Sequence, residues 1–69
     1  MNRELRRFDV NDKCGTKYTV IERGMFATVD GCEVQVGVST YATSTGWVVT
    51  TAATPGEYRI ERLRLNVRR

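Results

Sequence analysis

The residues that could do chemistry in this chain are two cysteines, two serines and scattered carboxylates, because the sequence contains no histidine. Histidine is the commonest general base and the commonest metal ligand, so its absence removes Ser-His-Asp catalysis and many metal sites. Ser39 and Ser44 lie in or beside a Ser/Thr-rich loop, with no base to activate them. The six glycines never cluster into a phosphate-binding loop. We therefore predict a protein that is not an enzyme, with no cofactor and no small-molecule substrate.

Cys14 and Cys32 are the remaining candidates for metal binding or redox chemistry. Zinc sites usually present close C-x-x-C pairs, whereas these cysteines stand alone, so no metal is expected. In an up-and-down meander their turns fall at the same end of the sheet, together with Asp12 and Asp30. Two intervening strands, about 4.8 Å apart, still make a disulfide doubtful, since it needs Cα atoms within about 7 Å. The sequence predicts two reduced thiols, with Cys32 inward as a small hydrophobe and Cys14 near solvent.

Arginine gives the most specific signal, and its surplus lies at the two ends of the chain. The net charge is +3. Residues 57–69 hold five arginines against two glutamates, and residues 1–10 hold three arginines against two acids. Such an uneven distribution is compatible with an anionic partner.

Strand periodicity would arrange these arginines in a row. With the apolar residues of the last segment facing inward, alternate residues line the opposite face about 6.6–6.8 Å apart. Guanidinium groups suit phosphates and carboxylates, and the N-terminal strand adds more because terminal strands often pair in small barrels. Tyr41 is expected to be the exposed aromatic ring. The predicted contacts for nucleic acid or another acidic partner are Arg62, Arg64, Arg68, Arg6, Arg7, Arg3 and Tyr41.

A second interpretation is that the arginines protect an edge strand from aggregation. Glu57, Glu61 and Glu4 would then complete ordinary cross-strand charge pairs. The sequence alone leaves both interpretations open.

Period-two alternation dominates the elements that must position these groups. Phe8 and Val10 alternate with charged residues, and a turn over 11–15 leads into a second strand around Tyr18 that is apolar on both faces. Gly24 is expected to end that strand before a further one begins.

Asp30-Gly31 is the strongest short hairpin signal in the chain. On its far side Cys32, Val34, Val36 and Val38 alternate with polar residues and glycine. This alternation predicts a half-buried strand whose valines face the core.

The C-terminal third requires a choice between helix and strand. Residues 40–46 predict a loop and 47–51 a strand, after which Thr54-Pro55-Gly56-Glu57 has the form of a helix start. The apolar residues that follow do not share one helical face, but they fall into two strand phases. A β-bulge near Glu61-Arg62 reconciles the phases, so the sequence predicts one bulged strand over 57–67.

These elements predict an all-β fold with residues 1–69 as one small domain. We expect a five- to six-stranded, strongly bent antiparallel sheet or a small SH3-like, partly open barrel. The sequence shows no signal peptide and no membrane-length apolar run, so a cytoplasmic location without membrane contact is expected. A chain this short buries only about 60% of its unfolded surface, so a partner would help to stabilise it.

Five short motifs carry a resemblance that spans most of the chain. They are Leu5–Val10, the Asp and Gly of the first turn, Tyr18–Glu22, Tyr41 with Thr45-Gly46 before a valine-rich strand, and Tyr58–Ile60 before a basic end. This pattern resembles a group of short, uncharacterised bacterial proteins. The resemblance implies a bacterial origin and a β fold and brings no known activity. Both cysteines and the Thr54–Gly56 stretch depart from the pattern.

Two functional hypotheses follow. The first is a non-enzymatic binding module that contacts nucleic acid or another acidic partner through the arginine row. The second is a protein–protein interaction module, such as a homodimer, that pairs an edge strand or buries an apolar patch. Charge asymmetry favours the first hypothesis, and the short chain favours the second.

Overall fold

The computed structural model describes all 69 residues, which form a six-stranded antiparallel meander closed into a barrel. The first and last strands close the barrel through one residue pair, Asn11 with Arg68. The predicted all-β class and small-barrel architecture are therefore confirmed. No helix in the structure has the length and apolar character needed to span a bilayer. The strands are β1 (Asn2–Asn11), β2 (Lys17–Val29), β3 (Cys32–Thr43), β4 (Val48–Thr51), β5 (Glu57–Ile60) and β6 (Leu65–Arg68).

The barrel interior is filled by alternate residues from its strands, as period-two patterning requires. Ile60, Val10 and Val20 are the largest side chains that are completely buried. Only 10 of the 69 residues are buried, so the core is small even for a chain of this size. The residues that form the core cluster are Phe8, Val10, Val20, Val49, Tyr58, Ile60 and Val67.

Gly24 does not end a strand, contrary to the prediction, because β2 runs unbroken through it. A Cβ atom at this position would lie 3.0 Å from the side-chain nitrogen of Gln35 and 3.2 Å from Leu5 Cδ1. The glycine therefore allows two neighbouring side chains to close over the strand. The register shift at this point lies on β3, which uses extra residues around Gly37.

The single bulged strand predicted over 57–67 is wrong. The chain reverses through a 3₁₀ turn over Glu61–Leu63 and a left-handed residue, Arg64, with φ of 49°. β5 and β6 then pair antiparallel, with Ile60 opposite Leu65. The two apolar phases are thus reconciled by a reversal: Tyr58, Ile60 and Val67 are buried and Leu65 is half-buried, whereas Leu63, in the turn, is exposed.

The Asp30-Gly31 hairpin is confirmed: φ is positive at both turn residues, as a tight two-residue turn requires, and Val29 pairs with Cys32. β3 continues beyond the predicted strand to Thr43, through much of the predicted 40–46 loop. The predicted 47–51 strand begins one residue later, at Val48.

Cys14 and Cys32 do not lie at the same end of the sheet, as the meander prediction placed them. They occupy the turns at opposite ends of β2, a 13-residue strand, which separates them by roughly 40 Å at about 3.3 Å per residue. Both thiols are free and exposed. The inward position predicted for Cys32 is therefore wrong, and no bridge within one chain can form in this fold.

One end of the sheet extends well beyond the barrel. β3 pairs with β4 only through Tyr41 and Ala42, and β1 pairs with β6 only through Asn11. The outer parts of β1, β2 and β3 therefore project as a three-stranded ribbon. The molecule measures 48 × 24 × 17 Å, and its radius of gyration of 13.6 Å exceeds the roughly 11 Å of a compact chain of this length.

Candidate functional site

Most of the predicted contact arginines are engaged with glutamates. Arg3 lies 2.6 Å from Glu33, Arg6 2.5 Å from Glu22 and Arg7 3.0 Å from Glu4. Two further ion pairs, at the end of the chain, join Arg68 to Glu57 and Arg59 to Glu61. The interpretation of the arginines as members of cross-strand and local charge pairs therefore holds for five of them.

The regular row of Arg62, Arg64 and Arg68 is not formed. Arg62 lies in the 3₁₀ turn, Arg64 is the left-handed residue after it, and only Arg68 lies on a strand. Arg62 instead places its guanidinium 5.8 Å from the centre of the Trp47 ring. Neither Arg62 nor Arg64 forms an ion pair.

The terminal strands do lie together, as predicted, but they bring only part of the arginine set into one place. Arg6 and Arg69 both approach the Phe8 ring, at 5.4 Å and 4.5 Å from its centre. Arg3 lies instead on the ribbon, where it covers Phe26 at 4.6 Å. The predicted set is thus divided between the barrel and the ribbon.

Tyr41 is not the exposed ring that was predicted. It is half-buried between two core rings, 6.5 Å from Phe8 and 5.5 Å from Tyr58 between ring centres. β3 continues through this position with its side chain turned into the barrel mouth, which explains the error.

Glu22 lies at the junction between the barrel and the ribbon, with its side chain only 12% exposed. The pKa of this carboxyl is held below its ordinary value by hydrogen bonding to Ser39 and then by the Arg6 guanidinium, with Tyr41 adding to the effect. The cross-strand partners Arg6, Glu22 and Tyr41 thus bind β1, β2 and β3 together where the ribbon leaves the barrel.

The most unusual surface lies on one face of the ribbon, where the β2–β3 hairpin is apolar over three successive pairs, with the polar Asn2 of β1 beside Met25 at its edge. Directly opposed residues share a side of the sheet, and the three successive pairs of β2 and β3 all lie on this side. The four larger side chains, on Met25, Val29, Val34 and Val36, are between 40% and 51% exposed. We call this surface the apolar ribbon face: Met25, Ala27, Val29, Cys32, Val34 and Val36.

The opposite side of the ribbon is polar and internally paired. The Arg3–Glu33 ion pair lies there over Phe26, and the Gln35 amide donates to the Ser39 hydroxyl at 3.0 Å. This side therefore satisfies its own polar groups, while the apolar ribbon face has nothing covering it.

Sequence reasoning selected the residues of this face but assigned them to the core. The alternation of Cys32, Val34 and Val36 does mark one side of a strand, yet this side continues the outer side of the barrel, because Met25, the partner of Val36, lies an odd number of residues from the inward-facing Val20. Val38, the next member of the alternation, is 88% exposed because the β3 irregularity takes it out of phase. Strand length could have indicated that part of the sheet lies outside the barrel, because strands of 12 and 13 residues are longer than so small a barrel can cover.

The structure brings no three of the acidic and thiol side chains together as a metal-binding group. No protein-family model, curated protein or solved structure matches the chain. The resemblance to short bacterial proteins stays a prediction, and the functional proposal depends on the surfaces described above.

Proposed function

We propose that this protein is a non-catalytic assembly module that forms a homodimer by packing two apolar ribbon faces against each other. The observation that carries the proposal is the set of three consecutive apolar cross-strand pairs left exposed on one side of the ribbon. Contiguous apolar patches of a few hundred Å² on a monomer are often functional. The proposed location is the cytoplasm, where exposed thiols stay reduced.

A second copy is the favoured occupant because the six side chains of the face carry no charge; the nearest charges, the Met1 ammonium at 3.6 Å from Met25 Sδ and the cross-strand partners Glu4 and Arg23, border its barrel end. Two identical faces can therefore meet without like-charge repulsion, although the chain as a whole has a net charge of +3. Two-fold pairing is also the commonest oligomer symmetry. An antiparallel arrangement, with the barrels at opposite ends, lets the two sheets stack about 10 Å apart.

The size of the face sets the expected strength. Three pairs at about 6.8 Å spacing, across two or three strands about 4.8 Å apart, give a footprint of roughly 200–300 Å². Stable complexes usually bury about 800 Å² of accessible surface per partner. We therefore expect a concentration-dependent dimer, with a dissociation constant of roughly 10–1000 μM, rather than an obligate one.

The experiment is sedimentation of the wild-type chain over this concentration range beside two variants. Val34→Lys places a charge in the centre of the face, where burial against a second copy is costly. Thr28→Lys adds the same charge to an exposed residue on the polar side of the same hairpin, opposite Glu33. We expect the wild type and T28K to dimerise with similar constants, and V34K to stay monomeric.

Two results would contradict the proposal. One is a wild-type chain that remains monomeric up to about 1 mM, where even a weak association of about −4 kcal/mol becomes visible. The other is a V34K variant that dimerises as the wild type does while its circular dichroism spectrum shows an intact fold.

A further inference from the structure

The end of the barrel opposite the ribbon carries a different surface. Four cations there form no ion pair with any carboxylate of the chain. Two belong to the β1–β2 turn and the start of β2, and two belong to the turn between β5 and β6. We call this surface the basic pole: Lys13, Lys17, Arg62 and Arg64.

Backbone contacts place these turns at one end. The Ser44 amide donates to the Thr19 carbonyl at 3.0 Å, which holds the β3–β4 turn beside the beginning of β2. Trp47 ends that turn, and Arg62 lies over its ring at 5.8 Å. These contacts place the start of β2, with Lys17, at the same end of the barrel as the 3₁₀ turn.

A groove on the side of the barrel meets this surface at Lys13. This groove of about 600 Å³ runs between the end of β1 and β6. Asn11 and Lys13 line one wall, and Asn66 and Arg68 line the other. Lys13 is the member of the basic pole that lines this groove, together with the acidic Asp12 and Glu57. Arg64 precedes the second wall by two residues.

Two carboxylates lie in the same turns, and they lower the positive charge of this surface without cancelling it. Asp12 accepts hydrogen bonds from the amides of Cys14 and Thr16, at 2.8 and 2.9 Å, and so shapes its own turn. Glu61 accepts from the Thr50 hydroxyl at 2.7 Å and lies 3.6 Å from Arg59.

We infer that the basic pole binds the phosphodiester backbone of a nucleic acid. Arginine guanidinium groups and lysine ammonium groups are the side chains that contact phosphate oxygens, and four of them here lack a protein counter-ion. The ribbon takes no part in this contact. In an antiparallel dimer the two poles would lie at the outer ends, so the inference holds for monomer and dimer alike.

The test measures binding of a labelled oligonucleotide, single- and double-stranded, as a function of salt. Four phosphate contacts predict a slope of log K against log salt of about −3, at about 0.7–0.9 per contact. Arg62→Gln with Arg64→Gln should reduce the slope by about 1.5 and weaken binding at low salt at least tenfold. The control, Arg3→Gln with Arg7→Gln, removes the same charge from arginines that already pair with glutamates and should leave the slope unchanged.

Three outcomes would overturn the inference. The first is no binding at tens of micromolar protein in low salt, since even non-specific binders reach about 10⁻⁴–10⁻⁶ M at physiological salt. The second is an equal loss in both double variants, which would indicate a response to net charge alone. The third is binding of poly-glutamate but not of oligonucleotide, which would identify an acidic protein as the partner.

Discussion

The barrel and the ribbon are built from the same strands and the same alternation, yet only the barrel buries its apolar side. β2 passes through both regions: Val20 is completely buried on the inner side of the barrel, whereas Met25, five residues later, lies on the opposite side of the strand and is half exposed. The difference lies in what faces each side chain. In the barrel the sheet curls until its own opposite wall covers the inner side, whereas the apolar ribbon face continues the outer side of the sheet and has no opposite wall. Alternation therefore identifies a side of a strand that favours burial, but the fold decides what covers it.

Because the barrel buries its apolar side chains and the ribbon does not, a substitution in the barrel should have the largest effect on the free energy of unfolding. Ile60→Ala empties a completely buried site and should lower the free energy of unfolding by about 3 kcal/mol. Val36→Ala, on the apolar ribbon face, should change it by less than about 0.5 kcal/mol in dilute monomer, because that side chain is exposed on one side. Urea denaturation at low protein concentration measures both changes.

An equal loss of stability at the two sites would contradict this comparison. A chain of this length has roughly 4–10 kcal/mol of stability in total, so Ile60→Val, which should cost about 1 kcal/mol, covers the case in which the alanine variant does not fold. If Val36→Ala destabilises the dilute chain as much as Ile60→Val, the ribbon packs against something within the monomer.

The junction between the two regions gives a smaller, pH-dependent effect. The pKa of Glu22 is lowered in the folded chain by Ser39 and Arg6, so its carboxylate stabilises the fold above its ordinary value of 4.5. That contribution is lost as the pH falls through the lowered pKa. Glu22→Gln should cost about 1.5 kcal/mol at pH 7, the size of a hydrogen bond to a charged group, and should flatten the loss of stability below pH 4.5.

Thermal denaturation between pH 7 and pH 3 sharpens this prediction. Glu4, whose pKa is lowered by its hydrogen bond to Arg7, leaves a residual slope in the variant. A variant with the same acid dependence as the wild type would show that the Glu22 network does not hold the junction together.

The fold class could be predicted from the sequence because short-range signals determine it. The Asp30-Gly31 turn and the period-two runs at Phe8 and Val10 specify strands and reversals within a few residues. The wrong predictions concerned residues whose identity is determined by contacts with neighbouring strands. Gly24 indicates a close approach of side chains from two neighbouring strands, and no local rule separates that use from a strand end.

The candidate surfaces were less accessible to sequence reasoning. An arginine in a predicted strand has the same local signal whether it forms an ion pair with a glutamate, as Arg3 and Arg68 do, or lies in a turn without one, as Arg64 does. The reversal through Glu61–Leu63 was missed because two short strands and one bulged strand can share the same alternation. The ion-pair partner of each arginine depends on the register between strands, and the pattern of a single sequence does not specify that register.

The two native cysteines provide the most direct test of the central claim, that the apolar ribbon face is buried against a second copy. Cys32 lies on that face, and Cys14 lies in the turn at the opposite end of β2. Both thiols are exposed in the single chain, so their alkylation rates can be compared within one molecule by mass spectrometry. We expect the rate at Cys32, relative to Cys14, to fall as protein concentration rises through the dimerisation range, and to stay constant in V34K. A ratio that is independent of concentration in the wild type would contradict the account.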